Sequence, residues 1–271
     1  MKLAILLVSL FVLAIAITPT VDAAKIGIIG DVDNNSGLTT QINLMKSQGV
    51  KYFILPGDYA YSSASGVKSK LAAAGFNSSN SVVAVGNHDS CSDVKSWMKT
   101  SSCYYERVRV NGKIQFLTID ANSGFDCTGT QFNFIKSKLQ SSTAWYKIVI
   151  IHQPFATVKS THGANGKYSC YEPIFKANNV SIIAQAHNHN YQYGLIDSET
   201  YLVAGGGTHD TGSGMYPCSS SSFNGVSMKC ITGTNGAVIL DVNTTNSGFK
   251  HIDGSFVSNS GTVKHTFTVN K

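Results

Sequence analysis

Five apolar runs in this chain each end in side chains that can bind a metal, and no other feature constrains the fold as strongly. Lys25 to Gly30 leads into Asp31, with Asp33 two residues on. Lys51 to Leu55 leads into Gly57-Asp58-Tyr59-Ala60-Tyr61, and Ser81 to Val85 into Gly86-Asn87-His88-Asp89. Trp145 to Ile151 runs into His152, and Val180 to Ala184 into Ala186-His187-Asn188-His189. Runs of this length and composition predict buried strands. In open α/β sheets ligands bind outside the carboxyl ends of strands, so one site could collect all five motifs.

Helical periodicity fills the intervals. Leu38, Ile42 and Met45 recur at i, i+4 and i+7 before Gly49. Val67 with Leu71 marks a short helix ended by Gly75, and Phe132, Ile135 and Leu139 mark another. Ile114 to Ile119 is a further strand. Beyond Tyr201 the chain turns strand-rich, with Gly205-Gly206-Gly207 expected as a tight turn and closing strands near Ala237–Val242 and Val263–Val269. The prediction is an α/β domain with a β-rich end.

Taken singly, each motif has a plain structural reading. Asp31 or Asp58 could cap a helix, Tyr61 could be half-buried, and His152 could merely end a strand. His187 and His189 alternate, so they point to opposite faces of an extended strand and can share a site only from a loop. Together, all at strand ends, the residues read as one metal site. Carboxylate oxygens suit a hard or trivalent ion, and imidazoles suit zinc, iron or manganese. Two sites sharing one carboxylate would use the whole set.

The amino terminus reads as a secretory signal. Met1-Lys2 precedes an apolar run from Leu3 to Ile17 and small residues at Ala23-Ala24. That run is shorter than the roughly 20 residues a membrane span needs, and no later stretch is long enough either. Cleavage after Ala23 leaves residues 24–271, expected to form one domain. Six cysteines, at 91, 103, 127, 170, 218 and 230, are an even number in a chain expected to be secreted. Six allow 15 pairings. Spacing favours Cys91 with Cys103 and Cys218 with Cys230, leaving Cys127 for Cys170. Glycosylation sequons occur at Asn34, Asn77, Asn179 and Asn243, with Asn34 too close to the candidate site to suit a glycan. Scattered lysines give a formal net charge of +6 with only 13% charged residues, which draws no nucleic-acid stripe and at most favours anionic ligands.

The order of these motifs resembles the calcineurin-like metallophosphoesterases, and most of all their purple acid phosphatase branch. Gly30-Asp31, Gly57-Asp58-Tyr59-Ala60-Tyr61, Gly86-Asn87-His88-Asp89, Val149-Ile150-Ile151-His152 and Ala186-His187-Asn188-His189 stand as that family's five blocks. The resemblance implies a sandwich of two mixed β-sheets flanked by helices, with a dinuclear metal site at the strand ends. It implies one metal held by Asp31, Asp58, Tyr61 and His189, and a second held by Asp58, Asn87, His152 and His187, with Asp58 as the bridge. The first would be ferric iron, stabilised by the Tyr61 phenolate; the second would be ferrous iron, zinc or manganese. Two departures stand out. Ala186 replaces a glycine, which is tolerable where φ is not positive. Asp33 stands where the branch commonly has glycine and other metallophosphoesterases have a histidine ligand. Binding the first metal, hydrogen-bonding a ligand and facing solvent are all open to it, and a place outside the ligand shell is the expectation.

The function this implies is a secreted phosphomonoesterase with an acidic optimum, acting on small phosphate esters outside the cell or in a secretory or lysosomal lumen. A hydroxide bridging the two metals would attack phosphorus. His88 would stabilise the charge that builds on the phosphoryl oxygens and protonate the leaving group, with Asp89 orienting it. His162 resembles a second substrate-contacting histidine of the family. Two alternatives share the metal core: a nucleotide phosphodiesterase, and a non-catalytic secreted module that keeps the cage for binding.

Overall fold

In a computed structural model, the alternating runs form two mixed β-sheets packed face to face; it describes residues 24–158, 161–244 and 250–271. The expected signal peptide, residues 1–23, lies outside them. In chain order the elements are β1 (Ala24–Ile28), α1 (Ser36–Ser47), β2 (Tyr52–Leu55), α2 (Ala64–Ala73), β3 (Ser81–Val83), α3 (Cys91–Met98), β4 (Glu106–Arg109), β5 (Ile114–Thr118) and α4 (Thr130–Ser141). There follow β6 (Tyr146–Ile150), α5 (Tyr168–Ala177), β7 (Ile182–Gln185), β8 (Tyr191–Ile196), β9 (Glu199–Ala204), β10 (Ser222–Phe223), β11 (Val226–Ser227) and β12 (Lys229–Ile231). The chain closes with β13 (Gly236–Val242), β14 (His251–Ser258) and β15 (Val263–Asn270).

One sheet runs β15-β14-β13-β1-β2-β3 and the other β12-β8-β9-β7-β6-β5-β4. Within the first, β1, β2 and β3 are parallel; within the second, β5, β6, β7 and β9 are parallel. Parallel strands are buried on both faces, which is why these segments read as unbroken apolar runs. On β6, Ile148 and Ile150 join the core between the sheets, while Val149 and the following Ile151 join Ile135 and Leu139 of α4 and Tyr171 and Phe175 of α5. Each such side chain contributes about 1.5–3 kcal/mol by leaving water. On the first sheet α1 lies against β13 and α3 against β3.

Each expected strand is present to within two residues at each end, as usual for boundaries that fray, while β4 and β8 were not expected. Two helices were not anticipated. Helix α3 has little apolar content beyond Val94, Trp97 and Met98, and α5 carries Pro173. Burial of Tyr171 and Phe175 on α5 outweighs the hydrogen bond the proline forfeits. A second correction concerns Gly205-Gly206-Gly207. These residues make no tight turn and none has positive φ. They carry the chain out of β9 so close to its neighbours that a Cβ on Gly205 would strike Asn188 O, and one on Gly207 would strike Gly30 O.

The disulfides join Cys91 to Cys103, Cys127 to Cys170 and Cys218 to Cys230, the pairing that spacing favours. The first ties the start of α3 to the segment entering β4. Among the described residues no helix is long and apolar enough to cross a membrane.

Candidate metal centre

The five motif-bearing strands β1, β2, β3, β6 and β7 end at one edge of the sandwich. Their exits bend sharply: Asp31, Asp58 and His187 have φ of 56°, 55° and 70°. Non-glycine residues enter this left-handed region at a cost that the surrounding bonds must cover. Asp31 N–H donates to Gly57 O at 3.2 Å, Val32 N–H to Asp58 O at 2.9 Å, and Ala186 N–H to His152 O at 3.0 Å. Gly86 must be glycine, because a Cβ there would collide with the backbone nitrogen and carboxylate of Asp58.

Asp89 fixes this junction and not the His88 ring. Its carboxylate accepts the backbone N–H groups of Asp58 at 2.8 Å, Tyr59 at 2.9 Å and Gly86 at 2.8 Å. The expected bond to His88 is thereby replaced by three bonds to backbone, which lock two motif loops together. Burial pushes the Asp89 carboxyl up to about 6, against the pull of those N–H groups.

Around Tyr61 the side chains converge on one point. The phenol oxygen lies 3.2 Å from Asp31 Oδ1, 2.9 Å from Asp58 Oδ2 and 3.1 Å from His189 Nε2. Burial, then the charges of Asp31 and Asp58, push the phenol well above its ordinary range. His189 is raised to about 9: burial opposes its charge, but Asp31 and then Asp210 outweigh burial.

A second convergence centres on His152. Its Nδ1 lies 2.9 Å from Pro56 O, a pure acceptor, so Nδ1 carries the proton and Nε2 offers a lone pair when the ring is neutral. Facing Nε2 are Asp58 Oδ2 at 3.1 Å, Asn87 Oδ1 at 3.1 Å and His187 Nδ1 at 3.2 Å. Four electron-rich atoms this close need a cation or an extra proton between them. Burial disfavours charge on His152, but its bond to Asp58 and the charges of Asp31 and Asp58 outweigh burial and raise its pKa. Asp58 correspondingly falls to about 2, with the His152 bond and charge overriding burial. His187 drops to about 3 through burial and then the charge of His152, which keeps it neutral and able to coordinate. Asp58, His152 and His187 have the spacing of a metal site, and the donor set fits two cations bridged by Asp58.

The remaining expected residues surround these two clusters. His88 is exposed, its ring centred 4.5 Å from that of Tyr61, and its N–H donates to Asp58 Oδ1 at 2.9 Å. His162 stacks on His187 with centroids 4.0 Å apart, and Asn188 holds its backbone from both sides. His187 and His189 sit in the loop between β7 and β8, as their alternation requires. Ala186 does not have positive φ and fills the space that Gly30 leaves opposite. Asp33 stands apart from both clusters: Oδ1 accepts Asn34 N–H at 2.7 Å and the Ser62 hydroxyl, and Oδ2 lies 4.0 Å from His209 Nδ1. The Asn34 amide packs over Gly66, which leaves a glycan there little room.

Sequence reading missed the segment after β9. His209 stacks on Tyr61 at 3.5 Å with planes 9° apart, Asp210 Oδ2 lies 2.5 Å from His189 Nδ1, and Tyr216 stacks on His189 at 4.3 Å. The signal was present, since Tyr201 to Ala204 is a further apolar run followed by Thr208-His209-Asp210.

Comparison with known proteins identifies the family and the fold. The family model described as calcineurin-like phosphoesterase matches residues 24–191. No curated protein sequence matches the chain. Among solved structures, GAP50, described as the anchor in the inner membrane complex of Plasmodium, is similar with a TM-score of 0.65 at 16% identity, covering 92% of this chain and 89% of that one. The purple acid phosphatase PPD1 of yellow lupin seeds gives 0.67 at 15% identity; 92% of this chain covers 54% of that one, so this chain spans about half its length. PhoD gives 0.60 at 9% identity, over 92% of this chain and 70% of that one. At these identities the structural likeness shows the fold alone.

Proposed function

The chain belongs to the calcineurin-like phosphoesterase family, and from that membership we propose a secreted phosphomonoesterase with an acidic optimum, of the purple acid phosphatase branch. The observation that carries the branch is the Tyr61 hydroxyl lying within 3.2 Å of Asp31, Asp58 and His189. A tyrosine at that point gives one of the two sites a phenolate, which favours ferric iron. In this reading Asp31, Asp58, Tyr61 and His189 hold that ion. Asp58, Asn87, His152 and His187 hold ferrous iron, zinc or manganese. Bound there, the pair supplies Lewis acidity that activates water and neutralises phosphoryl charge.

The chain's own side chains do the rest. His88 stands beside Tyr61 on the exposed rim, with its backbone tied to Asp58. There it donates to a phosphoryl oxygen as charge builds and protonates the departing alkoxide. The acidic optimum is carried by the resemblance to the purple acid phosphatase branch. His162, stacked over His187, contacts the ester from the other side. Asp89 serves through the loop geometry it fixes. Secretion is supported by the Met1–Ala23 segment and by three disulfides, which persist in oxidising compartments.

The test is metal analysis of protein purified from culture medium, with pH profiles on nitrophenyl phosphate and bis-nitrophenyl phosphate. Two metals per chain and turnover of the monoester at acidic pH are expected. Turnover of the diester alone would make the protein a phosphodiesterase, and fully loaded protein inert toward both would make it a binding module.

A further inference from the structure

We propose that Asp210 is the positioning residue for the Tyr61 half of the centre, fixing the tautomer and orientation of His189. The proposal rests on the functional reading above and adds a residue that the five motifs do not contain. Asp210 Oδ2 lies 2.5 Å from His189 Nδ1. A carboxylate there accepts the Nδ1 proton in a hydrogen bond and, when the ring is neutral, leaves the Nε2 lone pair facing Tyr61 and Asp31, at 3.1 and 3.4 Å. Without that partner an imidazole chooses its tautomer freely and can rotate about its χ2. Outer hydrogen bonds of this kind hold ligating histidines and are worth roughly 10–100-fold in metal affinity.

The segment carrying Asp210 is itself anchored to the site. His209 N–H donates to Asp31 O at 3.0 Å, Thr208 Oγ1 accepts Asp33 N–H at 3.0 Å, and Asn235 Nδ2 donates to Asp210 O at 2.7 Å. Tyr216 then covers one face of His189, and its N–H donates to His189 O at 3.3 Å. Thus His189 is gripped at Nδ1, on its ring face and at its backbone, all from residues 210–216. The other convergence has its own anchor, since His152 Nδ1 is held by Pro56 O. His152 and His189 are therefore held by separate anchors, one a backbone carbonyl and the other a side chain that mutation can remove.

The experiment uses full-length mature protein titrated with Zn²⁺ against a chromogenic chelator, with histidine ¹⁵N NMR of the zinc-loaded form. In the wild type His189 should appear as the Nδ1–H tautomer with a slowly exchanging proton. Asp210→Ala should lose that proton and weaken zinc in the His189 site by 10–100-fold, leaving the resonances of His152 and His187 and their affinity unchanged. Asp210→Asn, whose amide oxygen accepts the same hydrogen bond, should recover most of the loss. Unchanged affinity and tautomer in Asp210→Ala would overturn the proposal while leaving the functional reading intact. Equal loss from both sites with a lowered melting temperature, or no recovery in Asp210→Asn, would overturn it too. Wild-type protein that takes up no zinc would instead bring down the functional reading, and this proposal with it, before any variant is compared.

Discussion

His152 Nε2 lies 3.1 Å from Asp58 Oδ2, and both side chains are essentially inaccessible to solvent. The same Asp58 oxygen is 2.9 Å from the Tyr61 hydroxyl, so this carboxylate joins the two halves of the centre. Replacing it should empty or scramble both halves, whereas His152→Ala should chiefly weaken the half it shares with Asn87 and His187. Metal content of the two purified variants decides the matter. Equal, partial losses would remove Asp58 from its bridging position.

His88 touches Tyr61 but lies outside both donor clusters. His88→Ala should therefore keep the wild-type metal content while kcat on nitrophenyl phosphate falls by roughly 10²–10³, the range for loss of one donor to developing charge. Loss of a metal in this variant would move His88 into the ligand set.

The fold and the two donor clusters were legible in the sequence for a common reason. Parallel strands are buried on both faces, so they stand out as apolar runs, and the polar residue at each run's end has no business in a core. Asp58, His152 and His187 could be read from that contrast alone. The surrounding contacts could not. His209, Asp210 and Tyr216 reach the site through a loop whose path is set by packing of glycine backbone against Gly30 and Asn188. No periodicity encodes such a path. Asp89 illustrates the same limit: its position beside His88 implied a side-chain partner, while burial and three competing N–H groups gave it a backbone one.

Asp33 accepts hydrogen bonds from Asn34 N–H and the Ser62 hydroxyl, contacts that an amide oxygen can also make. Asp33→Asn should retain both metals and lose at most 10–100-fold in activity, as outer-shell changes do. Complete loss of the metal at Tyr61 would promote Asp33 to a ligand.

Glu199 opens β9 far from these clusters, is 2% exposed, and has no hydrogen-bond partner for Oε2 among the described residues. Burial, then the charge of Glu172, pushes its carboxyl up to about 7. A folded-state value above the unfolded one means that the native protein binds the extra proton between about pH 4.3 and 7. Folding is thus most favoured with Glu199 protonated, and that advantage is lost as pH rises through this window. Glu199→Gln should raise stability by roughly 1–3 kcal/mol at pH 8 and by almost nothing at pH 4. Denaturant melts at the two pH values measure it, and a benefit independent of pH would refute the assignment.

Colour tests the branch through two tyrosines that are neighbours in sequence and separated in space. Tyr61 turns its hydroxyl into the cluster of Asp31, Asp58 and His189. Tyr59 is fully buried, packs edge-on against Trp97, and donates to Asp93 Oδ2 at 2.8 Å, so it points into α3. A phenolate on ferric iron absorbs visible light by donating charge to the metal, and in the proposed reading only Tyr61 can do so. Iron-loaded wild-type protein should be pink to purple. Tyr61→Phe should bleach it while keeping the fold, since only a hydroxyl is removed. Tyr59→Phe should keep the colour and lose stability by about 1 kcal/mol, the usual worth of one hydrogen bond. Metal analysis must accompany the spectra, because bleaching through loss of iron and bleaching through loss of the phenolate look alike. Colourless wild-type protein with ferric iron at full occupancy would take Tyr61 out of the ligand set and leave the chain in the wider family, outside its purple branch.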